Sequence, residues 1–224
     1  MLQKQNPLFL QAYEEIKKEI LQGNLVPGTR LVETSLAKDL GVSRNPIREA
    51  LRLLMQDGLV QATASGQIVH PMTIEDIQEI YECRMMVEPF AASLASQRIK
   101  SNEILTLYSH VEQAETCFEA GDIDGTIEAN SKFHNSIVQF SHNQLVYSTF
   151  KVIDNLVVVS RNIEMKVHQR SPDYLSDHRE MVRLMEAGKS EALQGLVSEH
   201  IKADWNYFKM CSESNGKEIV EMNN

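Results

Sequence analysis

Residues at three- and four-residue steps open the chain (Leu10, Tyr13, Ile16, Lys17 and Ile20), a period that predicts a helix closed by Gly23. Leu25-Val26-Pro27-Gly28-Thr29-Arg30-Leu31 then carries turn chemistry, with no room for a long element. A short helix over about 33–40 follows, with Leu36, Ala37 and Leu40 inward, and ends at Gly41. Ser43 is placed to cap the next helix, and Pro46 falls in its first turn, where a missing N–H breaks no internal bond. Along that helix Ile47, Ala50, Leu51, Leu54 and Met55 form one stripe, and Arg44, Arg48 and Arg52 form a second beside it. Leu59-Val60-Gln61-Ala62-Thr63 and Gln67-Ile68-Val69 read as short strands around Ala64-Ser65-Gly66, a hairpin.

Beyond Pro71-Met72-Thr73 the pattern is helical throughout, over about 74–87, 89–99, 102–120, 123–141, 143–167, 173–187 and 190–212. Pro89 is expected to break or sharply kink what would otherwise be one long helix. Gly121-Asp122, Ser141-His142-Asn143, Ser171-Pro172-Asp173 and Gly188-Lys189-Ser190 supply the later joints. No strand alternation of useful length occurs, so this half predicts an antiparallel helical bundle. The expected organisation is mainly α: a first domain over 1–70, a linker at 71–73, a helical domain over 74–212 and a polar tail over 213–224.

Two short helices joined through a tight glycine turn, the second apolar behind and arginine-rich in front, meet the requirement for a recognition helix in the major groove. With the hairpin as a wing, the first domain reads as a winged helix-turn-helix. Charge sharpens the division. Residues 1–70 hold 8 basic and 7 acidic side chains, whereas 71–224 hold 14 and 24. The overall charge of −9 excludes a chain that coats nucleic acid along its length. No apolar run approaches a membrane span, and the first residues carry no apolar signal core. Three widely spaced cysteines favour neither a disulfide framework nor a metal knuckle, so the expected setting is the cytoplasm, with no membrane partner.

Of seven histidines, His70, His110, His142 and His168 show no informative spacing. Asn130 and His134 share one helix face, while His178 and His200 each sit near the middle of a separate later helix. Three imidazoles and one oxygen from three helices suit zinc, nickel, manganese or iron with positions left open for a ligand. Spacing alone does not separate that reading from scattered core histidines.

The run Pro27-Gly28, Leu36-Ala37, Gly41-Val42-Ser43-Arg44, Pro46-Ile47-Arg48-Glu49-Ala50-Leu51 and Gly58-Leu59-Val60 resembles the GntR family of bacterial transcription regulators. That resemblance implies DNA contacts by Ser43, Arg44, Asn45 and Arg48, with Gly66 at the wing tip approaching the minor groove. Asn45 stands where many members carry Thr, and Thr34, a further contact position, where some carry Arg; both shift the expected operator. The wing itself lacks Lys and Arg, which predicts a weak backbone contribution from it. Asn130-x-x-x-His134, His178 and His200, together with Glu82-x-Arg84-x-x-x-Glu88 and Ala91-Ala92, are similar to the all-helical FCD domain of one large subgroup, the FadR-like regulators.

In the metal-binding branch of that subgroup an Asp or Asn and three His hold the ion. The resemblance therefore implies a divalent metal, zinc first, on Asn130, His134, His178 and His200. A neutral Asn130 leaves the site more positive than an Asp would, which favours anionic ligands. Arg84 is the first candidate for the clamp on a small carboxylate effector, against a salt bridge with Glu82 or Glu88; Arg161, after the apolar Leu156-Val157-Val158-Val159 run, is the second. Asp177 reads either as an acceptor that orients an imidazole or as an exposed neighbour. The implied function is a ligand-responsive repressor that binds a palindromic operator as a homodimer. The alternatives are a DNA-binding dimer with a purely structural metal and a metal-dependent hydrolase. Against the hydrolase, Glu180 and Glu199 flank two of the histidines but point about 100° or more away along a helix, and GxSxG, HExxH and Gly-rich phosphate loops are missing.

Overall fold

A computed structural model describes residues 6–167 and 173–214 of the 224-residue chain. They divide into two compact units, with the chain passing from one to the other between Thr73 and Ile74. The first contains α1 (Leu8–Leu21), β1 (Arg30–Leu31), α2 (Glu33–Asp39), α3 (Arg44–Gln56), β2 (Val60–Thr63) and β3 (Gly66–Val69). Its core is built by Ala12, Ile16 and Ile20 of α1, Ala37 of α2, and Ile47, Ala50, Leu51 and Leu54 of α3. Full burial of Ile47, Leu51 and Leu54 stabilises the unit by about 1.5–3 kcal/mol apiece. The inward face of α1 is shifted from the expected one: Leu10 is exposed and Ala12 buried. In α2 only Ala37 is buried, while Leu36 and Leu40 are partly covered.

The strands form one antiparallel sheet in the order β1-β3-β2. Strand β1 lies where only turn chemistry was expected, with Arg30 opposite Ile68 and Leu31 opposite Gln67. Two residues are too few to show a period; β3 recruits them through its unpaired edge.

The second unit contains α4 (Ile74–Arg98), α5 (Ser101–Glu119), α6 (Ile123–Phe140), α7 (Gln144–Asn162), a π-helical turn (Ile163–Val167), α8 (Tyr174–Glu186) and α9 (Ser190–Ser214). Helix α4 packs along α9 and against α6 and α7; α5 packs on α6 and α8. Val87, Ala91, Val138 and Phe150 join α4, α6 and α7 in one apolar cluster. Ala114, Ile127, Ala129, Met165, Tyr174 and Leu175 join α5, α6, the π turn and α8 in another.

The expected break at Pro89 does not occur: α4 runs unbroken through it. An interior proline costs about 3 kcal/mol. Burial of Ile77, Ile80, Tyr81, Val87, Ala91, Ala92 and Ala95 along the same helix outweighs that, at about 1.5–3 kcal/mol for each large side chain. The predicted helix over 143–167 ends instead at Asn162, and its last turn widens to π geometry. His168, the Ser171-Pro172 joint and the tail from residue 215 lie outside the described residues.

Candidate functional site

Helix α6 carries Asn130 and His134 one turn apart, and α8 and α9 bring His178 and His200 against His134. All four are buried. The three histidines each offer a ligand nitrogen, and these nitrogens lie within 4.8 Å of one another. His178 Nε2 and His200 Nε2 are 3.2 Å apart. The Phe133 ring, centred 4.5 Å from that of His178, forms an apolar wall.

Carboxylates set the imidazoles. His134 Nδ1 lies 2.7 Å from Glu88 Oε2, so Nδ1–H donates to Glu88 and the lone pair falls on Nε2. That Nε2 is buried without a hydrogen-bond partner, and so is Asn130 Oδ1. Burial pushes His134 down to about 3, against the pull of Glu88, so the ring is neutral at physiological pH. His200 Nδ1 is 3.2 Å from Asp177 Oδ2, and its Nε2 is 3.6 Å from Asp204 Oδ2. A buried neutral imidazole whose Nε2 lone pair is unengaged, a second unengaged acceptor on the same helix, and two further imidazoles with nitrogens within 4.8 Å make a donor set that a borderline divalent ion requires. The residues therefore fit a metal.

Arg84 is fully buried, and its salt-bridge reading is the one realised: Nε lies 2.7 Å from Glu88 Oε1 and Nη1 3.5 Å from Asp204 Oδ2. One guanidinium thus ties together the two acids that abut His134 and His200. Burial alone would depress Arg84; Glu88, Tyr81 and Asp204 together outweigh it and raise the group. Burial alone would likewise raise Glu88, but Arg84, ahead of His134, holds its carboxyl well below the usual carboxylate range. Arg161 is buried too, and its Nη1 donates to Ser131 Oγ at 3.0 Å. Its Nη2 has no hydrogen-bond partner, nor does the buried hydroxyl of Tyr81, whose ring lies 4.9 Å below the Arg84 guanidinium. Burial, reinforced by the like charge of Arg84, lowers Arg161.

Several of these parts escaped sequence reasoning. Asp204, one turn beyond His200, carried a readable i,i+4 signal. Tyr81 carried none, since a lone Tyr on a helix reads as core. Asp177 does orient an imidazole, but that of His200 rather than of its neighbour His178. Of the four histidines set aside, His142 pairs with Glu103 at 3.1 Å, and His70 and His110 are only partly buried.

In the first unit, α3 presents Arg44, Asn45 and Arg48 to solvent, and Thr34 of α2 is exposed beside them. Arg44 Nη2 and Arg48 Nε share one oxygen, Glu33 Oε2, at 2.9 and 2.8 Å. The hydrogen bond from Arg44, more than that from Arg48, keeps Glu33 below its usual range. Ser43 stands at the N-cap position in extended backbone, yet its side chain makes no capping bond, contrary to expectation. Gly66 ends the β2–β3 turn at φ +128, a conformation that favours glycine; space is not the constraint, since a Cβ there would meet only Arg30 at ordinary contact distance. Arg30, Glu33, Thr34, Arg44 and Gly66 line one cleft of about 440 Å³ between α2–α3 and the hairpin.

A helix-turn-helix with an exposed basic recognition helix and an antiparallel wing, followed by an all-helical unit with a buried polar centre, defines a DNA-binding regulator. Residues 8–66 match the gntR family of bacterial regulatory proteins, and residues 79–203 match the FCD domain. The chain belongs to the GntR family, in the group that carries an FCD domain. It is 35% identical over 219 residues to the uncharacterised helix-turn-helix regulator YdhC of Bacillus subtilis, covering 97% of each chain. It is 27% identical to the gluconate operon transcriptional repressor of Bacillus licheniformis over 75% of this chain and 70% of that protein. A GntR-type regulator from Rhodococcus sp. RHA1 has the same fold, with a TM-score of 0.78 at 24% identity over 90% of this chain and 97% of the other. These relatives are transcription regulators, and the protein is a regulator rather than an enzyme.

Proposed function

We propose that this regulator is a cytoplasmic repressor that binds a palindromic operator as a homodimer and releases it in response to a small carboxylate held at a metal centre. The observation that carries the reading is the convergence of three buried imidazoles, with ligand nitrogens within 4.8 Å of one another, together with the buried His134 Nε2 and Asn130 Oδ1, neither with a hydrogen-bond partner among the described residues. Asn130, His134, His178 and His200 would hold the ion, zinc before nickel, manganese or iron. Once bound, the ion would supply positive charge and open coordination positions for an anion.

The chain's own residues do the rest. Glu88 and Asp177 fix the rings of His134 and His200, and Arg84 holds Glu88 and Asp204 in place. Arg161, with a spare donor on Nη2, and Arg84, whose Nη1 and Nη2 make no hydrogen bond although Nη1 faces Asp204 at 3.5 Å, are both suited to a ligand carboxylate. In the head, Arg44, Arg48 and Asn45 would read base edges, while Ser43, Thr34 and the Gly66 backbone would meet phosphates and the minor groove. The ligand acts through differential affinity for two arrangements of the paired heads. Met86 and Phe90 of α4, exposed beside the α4–α7 apolar cluster, would supply the apolar contact between copies that the two half-sites require.

Genomic fragments retained by the purified protein, beside an Arg44→Ala, Arg48→Ala control, would identify operators: a few palindromic sites lost in the control are expected. His134→Ala with His178→Ala should then remove bound metal, read by elemental analysis, and the response of operator affinity to carboxylates. Full metal occupancy in that double variant would sink the site. Metal loss with no carboxylate response in the wild type would leave a structural ion instead.

A further inference from the structure

The hairpin has no basic residue of its own, which predicted a wing with little grip on DNA. The structure supplies one from elsewhere in the chain. Arg30 sits on β1, which pairs with β3, and its Nη2 donates to the Ser65 carbonyl in the hairpin turn at 2.7 Å. Its guanidinium lies directly against Gly66: a Cβ built there would meet Nε at 3.8 Å and Nη2 at 3.9 Å. Thr63 accompanies it, donating to the Gly66 carbonyl at 2.8 Å and closing the turn.

We propose that Arg30 is the phosphate-contacting cation of the wing, mounted on β1 and aimed past the hairpin turn. Three observations carry this. First, Arg30 is exposed, and among the described residues only one of its five donors is engaged, by a neutral carbonyl. Second, it has no carboxylate partner among the described residues, whereas Arg44 and Arg48 both close on Glu33. Third, it lines the same cleft as Arg44 of α3, so the cleft carries one cation on its hairpin side and one on its recognition-helix side. When α3 enters the major groove, the hairpin side of that cleft meets the adjacent backbone. A guanidinium anchored at one nitrogen keeps its remaining N–H groups for phosphate oxygens and loses little rotamer freedom on binding. Gly66 contributes by leaving the approach open: its backbone conformation, rather than the space around it, excludes a side chain.

The test is a salt series of binding isotherms for the full chain as wild type, Arg30→Ala and Arg30→Lys. Two duplexes are used, an operator recovered from genomic fragments and a mixed-sequence synthetic DNA. Arg30→Ala should weaken both duplexes alike, by roughly tenfold, and should lower the slope of log affinity against log salt by about one per half-site. Arg30→Lys, which keeps the charge, should retain most of that slope. Far-ultraviolet helix signal and melting temperature should match wild type in both variants. An affinity loss with the slope unchanged would overturn the proposal and leave Arg30 as a brace for the hairpin turn. A loss confined to the operator would also overturn it, in favour of base reading. The mixed-sequence duplex reports on Arg30 even where no operator is found, so failure of the effector-responsive reading and failure of this one are distinguishable.

Discussion

The DNA-binding head and the helical unit use the same chemical pair, arginine with carboxylate, at nearly the same distance and to opposite ends. On the head, Arg44 and Arg48 meet Glu33 at 2.9 and 2.8 Å with roughly half of each arginine side chain in water. In the bundle, Arg84 meets Glu88 at 2.7 Å with neither side chain exposed by more than 2%. The surface pairs are screened, hydrated and worth little, so on the proposed reading DNA would take both arginines from Glu33 at small cost. The buried pair has no such exchange partner. Removing either member strands a charge away from water, and the pair persists because Asp204, His134 and the ring of Tyr81 complete its surroundings. Distance alone therefore says nothing about which contacts are meant to open; burial decides it.

The contrast is breakable at three levels. Glu88→Ala should have the largest effect, since it orphans Arg84 and unties His134 together. A loss of about 3–5 kcal/mol in chemical denaturation is expected, and a loss under about 1 kcal/mol would show that the interior is wetter than the burial implies. Acid comes next. His134 has its proton affinity lowered by burial from the ordinary 6.5 to about 3, so between those pH values the unfolded chain binds a proton that the native chain does not. Stability of the metal-free protein should be complete above about pH 6.5 and should fall as pH falls through that window; Glu88, also lowered, adds to the loss further down. A flat melting temperature from pH 7 to about 4 would contradict a buried neutral His134. The smallest effect is expected at the surface. Glu33→Gln should change stability by about 0.5 kcal/mol or less, yet raise affinity for mixed-sequence DNA by freeing both arginines. A large destabilisation would mean that the surface pairs are structural after all.

How far the sequence could be read depends on where each signal was stored. Periodicity located the recognition helix well because Ile47, Ala50, Leu51 and Leu54 need one buried face whatever their neighbours. It misjudged the break at Pro89, because the decision between a break and a continuous helix lay with α6, α7 and α9, which pack on that helix from distant parts of the chain. It missed β1 because two residues carry no period, and so assigned the wing no cation. The histidines were visible as types at suggestive intervals, but a 4.8 Å convergence of their nitrogens exists only once three helices are packed.

By itself, then, the sequence determined the local elements, the helix-turn-helix with its basic face, the helical character of the second half and membership in a family. These rest on interactions within a few residues, where order along the chain and distance in space are nearly the same thing. Tertiary structure alone decided which charges are buried. It set Glu88 under His134 and Asp204 opposite Arg84, gave Asp177 to His200 rather than to its neighbour, and lent Arg30 to the hairpin. Each of those pairings joins residues on different elements or turns on burial by other helices, and burial is a property of the packed molecule.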